Sequence, residues 1–197
     1  LTIDEVEAIT GPAIGRPKSA TFRLGDIVGI DLMDQMGRNL QGLLKLEEET
    51  KLFRQPEFIT EMVTRGWWGE KKGQGFYKRV KTEKGREIHT LDYKTLEYRP
   101  QQKPQIASLE AASKISNRAE RIKSLCAATD KAGLFAWKHL SAMLCYTANR
   151  IPEIADEVAT VDNAMKWGYN WELGPFEIWD ALGVKETAGR LEKEGRA

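Results

Sequence analysis

The sequence predicts a mostly α-helical fold in which two related helical modules flank a small β element. Apolar residues recur at three- and four-residue spacing over most of the 197 residues, which is typical of amphipathic helices. Between residues 76 and 100, aromatic and β-branched residues alternate with turn signals, which is typical of short strands. Two similar sets of short words also lie near the two ends of the chain. Together these observations favour a duplicated helical unit with a β insertion.

Four helices are expected before residue 66. The first covers residues 2–9, because Thr2 and Glu5 have the spacing of a capping box. Gly11 and Pro12 end it. Three more helices are expected over residues 17–29, 31–46 and 56–65, the last with proline in its first turn and Gly66 after its end.

The β element and a second helical half follow. Residues 76–100 predict a hairpin or meander with turns at 83–85 and 92–94, and the polar segment "PQQKPQ" predicts a connector. Pro152 should kink or split a long helix over residues 133–158. The other expected helices cover residues 118–127, 162–167, 175–182 and 185–194. The predicted domains are therefore a first module over 1–80, a hairpin and linker over 81–104, and a second module over 105–197.

The two ends of the chain share a sequence pattern. "TIDEVEAITG", "GRP" and "FRLGDIVGID" near the start correspond to "TVDNAMKWG", "LGP" and "FEIWDALGVK" near the end. In each set an aspartate precedes a glycine by three residues: Asp26 and Gly29, then Asp180 and Gly183. This predicts two copies of one module, the first lacking its beginning, although words this short can also match by chance.

Composition excludes several classes of protein. Thirty basic and 29 acidic residues give a net charge of +1, without the basic excess of a general nucleic-acid binder. The sequence has no apolar run long enough for a membrane span and no signal peptide. Cys126 and Cys145 form no disulfide framework or metal motif, so we expect reduced thiols, a cytoplasmic location and no bound metal. The chain starts without methionine and ends within a predicted helix, so we expect a fragment of a longer protein.

The stretch "GWWGEKKGQGFYKR", residues 66–79, allows two interpretations. A dinucleotide-binding fingerprint needs a third glycine, a preceding strand and a following helix, and all three are missing around Gly73 and Gly75. A structural turn explains the stretch better, with the glycines in tight turns and Phe76 in the core. Lys71 and Lys72 are then solvated, although they could attract a nucleotide phosphate.

Three polar residues in predicted helices and strands are weaker candidates. Asn149 falls inside the predicted long helix, where it could orient a polar substrate group or satisfy backbone freed by Pro152. His139 has no carboxylate nearby in sequence, which favours a partly buried core histidine over a general base. His89 lies on a predicted strand and is expected to be exposed.

Three longer words resemble the C-terminal helical region of 3-hydroxyacyl-CoA dehydrogenases. They are "GPAIGRPKSATFRLGDIVGID", "GWWGEKKGQGFYKR" and "ANRIPEIADEVATVDNAMKWGYNWELGPFEIWDALGV". More narrowly, they resemble the multidomain microbial enzymes that fuse this dehydrogenase to an enoyl-CoA hydratase. The resemblance implies a fold like the 6-phosphogluconate dehydrogenase C-terminal domain, in two copies.

The resemblance also implies an activity that needs parts absent from these residues. The family oxidises 3-hydroxyacyl-CoA with NAD in fatty-acid β-oxidation, and its NAD fingerprint and catalytic residues belong to an N-terminal Rossmann domain. The implied partners are therefore an acyl-CoA substrate and the protein's own Rossmann and enoyl-CoA hydratase domains. We expect no catalytic residue, no bound NAD and no dehydrogenase activity in this chain alone.

The expected role is to line the substrate cleft and to pair domains. By the repeat, Asn149 falls in the Asn-Arg word in which the family has a substrate-contacting asparagine. The segment "RPKSATF" is the other candidate for the cleft, and the alternative for it is a simple helix N-terminus. For the whole chain, the second hypothesis is a non-catalytic assembly scaffold, and the third hypothesis is an unrelated helical binding module. The candidate substrate-binding residues are Arg16, Lys18, Ser19, Phe22 and Asn149.

Overall fold

The structure, a computed structural model, describes residues 1–45, 47–83 and 85–196, and is mostly helical with one small sheet. Leu46, the predicted end of the third helix, and Lys84, in the first predicted turn, lie outside the described residues. The helices are α1 (Ile3–Thr10), α2 (Phe22–Val28), α3 (Ile30–Leu43), α4 (Glu47–Leu52), α5 (Glu57–Thr64), α6 (Ala107–Ser113), α7 (Arg118–Ala127), α8 (Lys131–Ala148), α9 (Val158–Tyr169), α10 (Pro175–Leu182) and α11 (Val184–Lys193). The strands are β1 (Tyr77–Thr82), β2 (Gly85–Asp92) and β3 (Glu97–Pro100).

The chain divides into two compact units. Unit 1 contains residues 1–7 and 21–103, and unit 2 contains residues 8–20 and 104–197. The first turns of α1 therefore belong to unit 1, and its last turn belongs to unit 2. The predicted mostly helical fold with a small β element is confirmed.

Unit 1 combines α2–α5 with an antiparallel sheet of order β1-β2-β3. Tyr77 pairs with Thr90 between the first two strands, and Leu91 pairs with Tyr98 between the last two. Thr90 and Leu91 are neighbours on β2 and both are buried, and because side chains alternate between the faces of a strand, both faces of the sheet are covered there. Leu91 belongs to the apolar core of unit 1. That core is formed by Ile3, Ile30, Ile59, Met62, Phe76 and Leu91.

Unit 2 is built around α8, whose apolar residues repeat at helical spacing. The carboxylate of Asp130 caps the start of α8 by accepting from the backbone N–H groups of Ala132 and Gly133. Asn117 caps α7 in the same way through the N–H of Glu120. The fully buried side chains at the centre of this unit include Ile9, Ile14, Ile122, Leu125, Leu140, Leu144 and Ile178.

Several predicted helices are wrong in extent, including the one predicted over residues 162–167, which belongs to α9 over Val158–Tyr169. The helix predicted over residues 17–29 starts at Phe22, because residues 18–20 form a turn in which Ala20 has a φ of 43°. The helix predicted over residues 133–158 ends at Ala148. Pro152 has no N–H to continue the helix and disfavours helical conformation in Ile151 before it. The segment "RPKSATF" is therefore an irregular stretch and a turn, with only its last residue in a helix.

Candidate functional site

The glycine-rich stretch folds around the carboxylate of Asp26. This side chain is 2% exposed, and it accepts hydrogen bonds from the backbone N–H groups of Phe76 (2.8 Å) and Tyr77 (2.9 Å). A Cβ atom at Gly69 would clash with the Asp26 carbonyl oxygen, and one at Gly75 would clash with its carboxylate. The N–H groups that a phosphate-binding loop offers to its ligand are therefore occupied by a protein carboxylate. This favours the structural interpretation.

The predicted burial of Phe76 is confirmed. Its side chain is 3% exposed, and its ring meets Phe22 edge-on with 4.7 Å between centroids. The neighbouring lysines lie outside this core. Lys71 and Lys72 are exposed and lie over the ring of Trp68, and Lys71 also pairs with Asp31.

A second carboxylate, that of the half-buried Glu7, holds the start of α2. It accepts from the backbone N–H groups of Thr21 (3.2 Å), Phe22 (2.8 Å) and Arg23 (2.6 Å). Burial raises the pKa of Glu7 despite these bonds, and burial raises the pKa of Asp26 to about 6. Two acids that bind protons more readily than usual thus control the position of α2 within unit 1.

The structure places the predicted site residues in different surroundings. Lys18 is exposed and Ser19 is half-buried, and both lie in the turn of residues 18–20 in unit 2. Phe22 belongs to unit 1, where it packs on Phe76. Asn149 is exposed at the end of α8, so its predicted place inside a helix is wrong. Among the predicted residues, Arg16 has the most unusual environment.

Arg16 is held by apolar and aromatic groups of unit 2. Its guanidinium carbon lies 4.2 Å from the centre of the Trp171 ring, and Nη2 lies 3.4 Å from the sulfur of Met143. Its Nε is buried without a hydrogen-bond partner. Burial lowers the pKa of Arg16 to about 10, so the side chain remains a cation at neutral pH. Nothing in the sequence pairs Met143 or Trp171 with Arg16, because they lie 127 and 155 positions away.

His139 lies one helical turn before Met143 and is half-buried, as predicted. Its ring stacks on Phe135 with 6.0 Å between centroids, and its Nε2 is buried without a partner. Burial, and then the charge of Arg16, lower the pKa of His139 to about 4. The imidazole is therefore neutral at pH 7. His89, predicted to be exposed, is instead half-buried, with 17% of its side chain accessible.

No group of three or more His, Cys, Asp or Glu side chains in residues 1–45, 47–83 and 85–196 is placed to hold a metal ion. In the same part of the chain, no helix is both long and apolar enough to span a membrane.

The fold and the glycine-rich stretch closed around Asp26 define this chain as a mostly helical domain with a small sheet. Residues 1–79 match the family described as 3-hydroxyacyl-CoA dehydrogenase, C-terminal domain. This part of the chain is therefore similar to the C-terminal domain of the 3-hydroxyacyl-CoA dehydrogenases, a family that is NAD-dependent in general. No solved structure matches the chain significantly.

Several relatives align with the chain. A probable 3-hydroxyacyl-CoA dehydrogenase of Bacillus subtilis (strain 168) is 45% identical over 193 residues, which cover 98% of this chain and 24% of the relative. One of Deinococcus radiodurans is 42% identical over 86 residues, 44% of this chain and 24% of the relative. A putative fatty acid oxidation complex trifunctional enzyme of Rickettsia prowazekii is 24% identical over 180 residues, 90% of this chain and 23% of the relative. The chain spans about a quarter of the length of these relatives.

Proposed function

We propose that this chain is the substrate-cleft and domain-pairing part of an NAD-dependent 3-hydroxyacyl-CoA dehydrogenase of fatty-acid β-oxidation. The observation that carries the proposal is the alignment of 98% of the chain with a quarter of the Bacillus subtilis relative. The NAD-binding and catalytic groups would then lie in a Rossmann domain outside these residues. We propose that this chain binds no NAD and is inactive alone. We also propose that it functions in the cytoplasm as part of a longer enzyme.

A duplicated module is part of the same proposal. In unit 1, α2 and α3 meet at Gly29, and in unit 2, α10 and α11 meet at Gly183. Each first helix is also capped by a carboxylate from the preceding helix, Glu7 for α2 and Asp162 for α10, although the paired sequence words align Asp162 with Asp4. These correspondences support two copies, whose boundaries at residues 1–80 and 105–197 remain predictions. Fusion to an enoyl-CoA hydratase stays a prediction of the sequence, and the name of the trifunctional relative supports only an enzyme with several activities.

The proposed substrate contacts are Arg16, Lys18, Ser19 and Asn149 in unit 2 and Phe22 in unit 1. The strongest support concerns Arg16, a half-buried cation whose Nε has no hydrogen-bond partner among the described residues. Lys18 and Asn149 are accessible to a ligand. For Phe22 the packing on Phe76 offers a structural role, and substrate contact there stays a prediction of the sequence.

The second candidate function is an assembly scaffold without substrate contacts. It is favoured by exposed apolar side chains on α2 and α3, where Ile27 is 51%, Met36 53% and Leu43 77% exposed. Exposed apolar residues on neighbouring helices are typical of surfaces that another domain covers. The scaffold would use these faces alone, whereas the cleft function also needs polar residues such as Arg16.

A chimera separates the two functions. The quarter of the Bacillus subtilis relative that aligns with this chain is replaced by this chain, and oxidation of a medium-chain 3-hydroxyacyl-CoA is followed by NADH absorbance. We expect activity that substitutions at Arg16 reduce through a higher KM. Substitutions of Met36 and Leu43 should change assembly, measured by light scattering, without changing KM. An active chimera in which substitutions alter assembly but never KM would favour the scaffold.

A further inference from the structure

Arg16 has a fixed position in unit 2. Its own N–H donates to the Gly11 carbonyl (3.2 Å), and the carbonyl of Gly15 before it accepts from the N–H of Glu172 (2.7 Å). Pro17 restricts the backbone on the other side. The guanidinium is then laid against Trp171, so both its backbone and its plane are set by the fold. A pre-organised guanidinium loses little freedom when it binds a ligand.

Arg16 also differs from every other arginine of unit 2. Arg118, Arg121, Arg150, Arg190 and Arg196 each form an ion pair with a glutamate. Within the described part of the chain, no carboxylate pairs with Arg16, and its one side-chain hydrogen bond goes to a weak acceptor, the sulfur of Met143. A half-buried cation left unpaired is unfavourable for stability, which argues for a role outside folding.

Arg190 provides an internal comparison. Its guanidinium carbon lies 3.9 Å from the centre of the Trp137 ring, so it has the same stacked arrangement as Arg16. Arg190, however, donates to the carboxylate of Glu194 and to the carbonyl of Cys126. Arg190 and Arg16 thus stack on a tryptophan in the same way, but only the side chain of Arg190 donates to oxygen acceptors in the described part of the protein.

We propose that Arg16 binds an oxyanion of the substrate, namely a phosphate group of an acyl-CoA. The guanidinium offers paired N–H donors that match two oxygens of one phosphate, while Trp171 supports its face. His139 beside it is neutral at pH 7, so it adds no charge of its own. Lys18, exposed two residues further along, adds positive charge to the same segment. The choice of an acyl-CoA rests on the proposed function, whereas the unpaired state of Arg16 does not.

The test is isothermal titration calorimetry of the 197-residue chain with CoA, ADP, pantetheine and glutarate. We expect CoA and ADP to bind, and pantetheine, which has no phosphate, to give no heat. Arg16→Met should weaken binding of CoA and ADP at least tenfold, and Arg16→Lys, which keeps the charge without the fork, should weaken it less. Arg190→Met should bind both ligands as the unchanged protein does.

Thermal melting separates a binding role from a structural one. Arg16→Met should melt at the same temperature as the unchanged protein or higher, whereas Arg190→Met should melt lower because it removes the ion pair with Glu194 and the hydrogen bond to the Cys126 carbonyl. Equal affinity in Arg16→Met, no binding of CoA or ADP to the unchanged protein, or Arg16-dependent binding of glutarate alone would each overturn the proposal. An inactive chimera with Arg16-dependent ADP binding would refute the proposed function but not this site. An active chimera without such binding would refute only the site.

Discussion

Gly29 and Gly183 have nearly the same backbone conformation, with φ and ψ of 107° and 120° in the first and 89° and 114° in the second. Each glycine ends one helix and begins the next, at α2–α3 and at α10–α11. Side-chain-bearing residues rarely adopt a φ in this range, because their Cβ atom crowds the backbone. The paired sequence words thus produce one local structure twice, which is the strongest structural support for the proposed duplication.

Substituting these two glycines should destabilise the chain by similar amounts. Gly29→Ala and Gly183→Ala each force a Cβ into a strained conformation, and we expect a loss of about 1–3 kcal/mol in the free energy of unfolding. The atoms that each Cβ would meet are ends of flexible side chains, such as those of Lys71 and Glu186, so the backbone dominates the cost. Chemical denaturation followed by circular dichroism measures the effect.

Two other glycines serve as controls. Gly42 and Gly189 lie in α3 and α11, and a Cβ at either would meet no atom within 4 Å. Gly42→Ala and Gly189→Ala should therefore stabilise the chain by about 0.5–1 kcal/mol, the usual gain in a helix interior. If Gly29→Ala and Gly183→Ala behaved like these controls, the shared conformation would not matter for stability.

Much of the fold could be predicted from local sequence, because helical spacing and turn residues act over a few positions. The β element, the split near Pro152 and the burial of Phe76 all followed from such signals. Helix ends were less predictable. Residues 17–21 have a helical pattern but form a turn, since Glu7, fourteen residues before Thr21, fixes where α2 begins.

The surroundings of Arg16 could not be predicted in the same way. The resemblance to a family pointed to its segment, but no pattern in the sequence links it to Trp171 or Met143. Those contacts depend on tertiary packing of segments more than 100 residues apart. The unpaired state of Arg16 likewise appears only when every carboxylate of unit 2 has been placed.

Phe76 should contribute strongly to the stability of unit 1. Phe76→Ala removes a buried ring that packs on Phe22 and over Gly25, and we expect a loss of about 3–5 kcal/mol. Leu43→Ala is the control, because Leu43 is 77% exposed and should change the free energy of unfolding by less than about 0.5 kcal/mol. Unchanged thermal stability in Phe76→Ala would contradict the structural role of the glycine-rich stretch.

Asp26 should make the stability of unit 1 depend on pH. Its pKa rises from the ordinary 3.8 to about 6 in the folded chain, chiefly through burial, so the folded chain binds more protons than the unfolded chain between these values. The contribution of Asp26 to the free energy of unfolding is therefore greatest below about pH 4. It falls as the pH rises through about 6, by at most roughly 3 kcal/mol.

The variant Asp26→Asn isolates this contribution. Its amide group replaces one of the two accepting oxygens with an NH2 donor that would face the N–H of Phe76 or Tyr77, so the variant should be less stable than the unchanged protein at every pH. The difference between the two proteins should shrink as the pH rises from 4 to 7, because only Asp26 loses its proton over that range. Denaturation curves at four or five pH values measure this difference. A constant difference would mean that Asp26 titrates near its ordinary pKa.

The chain alone should have no dehydrogenase activity. Hydride transfer needs a nicotinamide held in a fixed geometry and a base for the hydroxyl proton. In unit 1, the N–H groups of Phe76 and Tyr77 already donate to Asp26, so the glycine-rich stretch offers no cradle for a pyrophosphate. In unit 2, His139 is half-buried beside the cation Arg16, with its pKa lowered to about 4, which makes it a weak base. Loss of general acid–base catalysis alone typically costs about 10²–10⁴ in rate.

The measurement is incubation of the purified chain with NAD and a medium-chain 3-hydroxyacyl-CoA, followed by NADH absorbance, with calorimetry for NAD binding. We expect no turnover above a heat-treated control and no NAD affinity in the micromolar range. The chimera with the Bacillus subtilis relative is the positive control, because it restores the parts that this chain is proposed to lack. Turnover by the chain alone would require a base and an NAD site among these helices. His139→Gln would then show whether His139 is that base, since it should abolish the rate without changing NAD affinity.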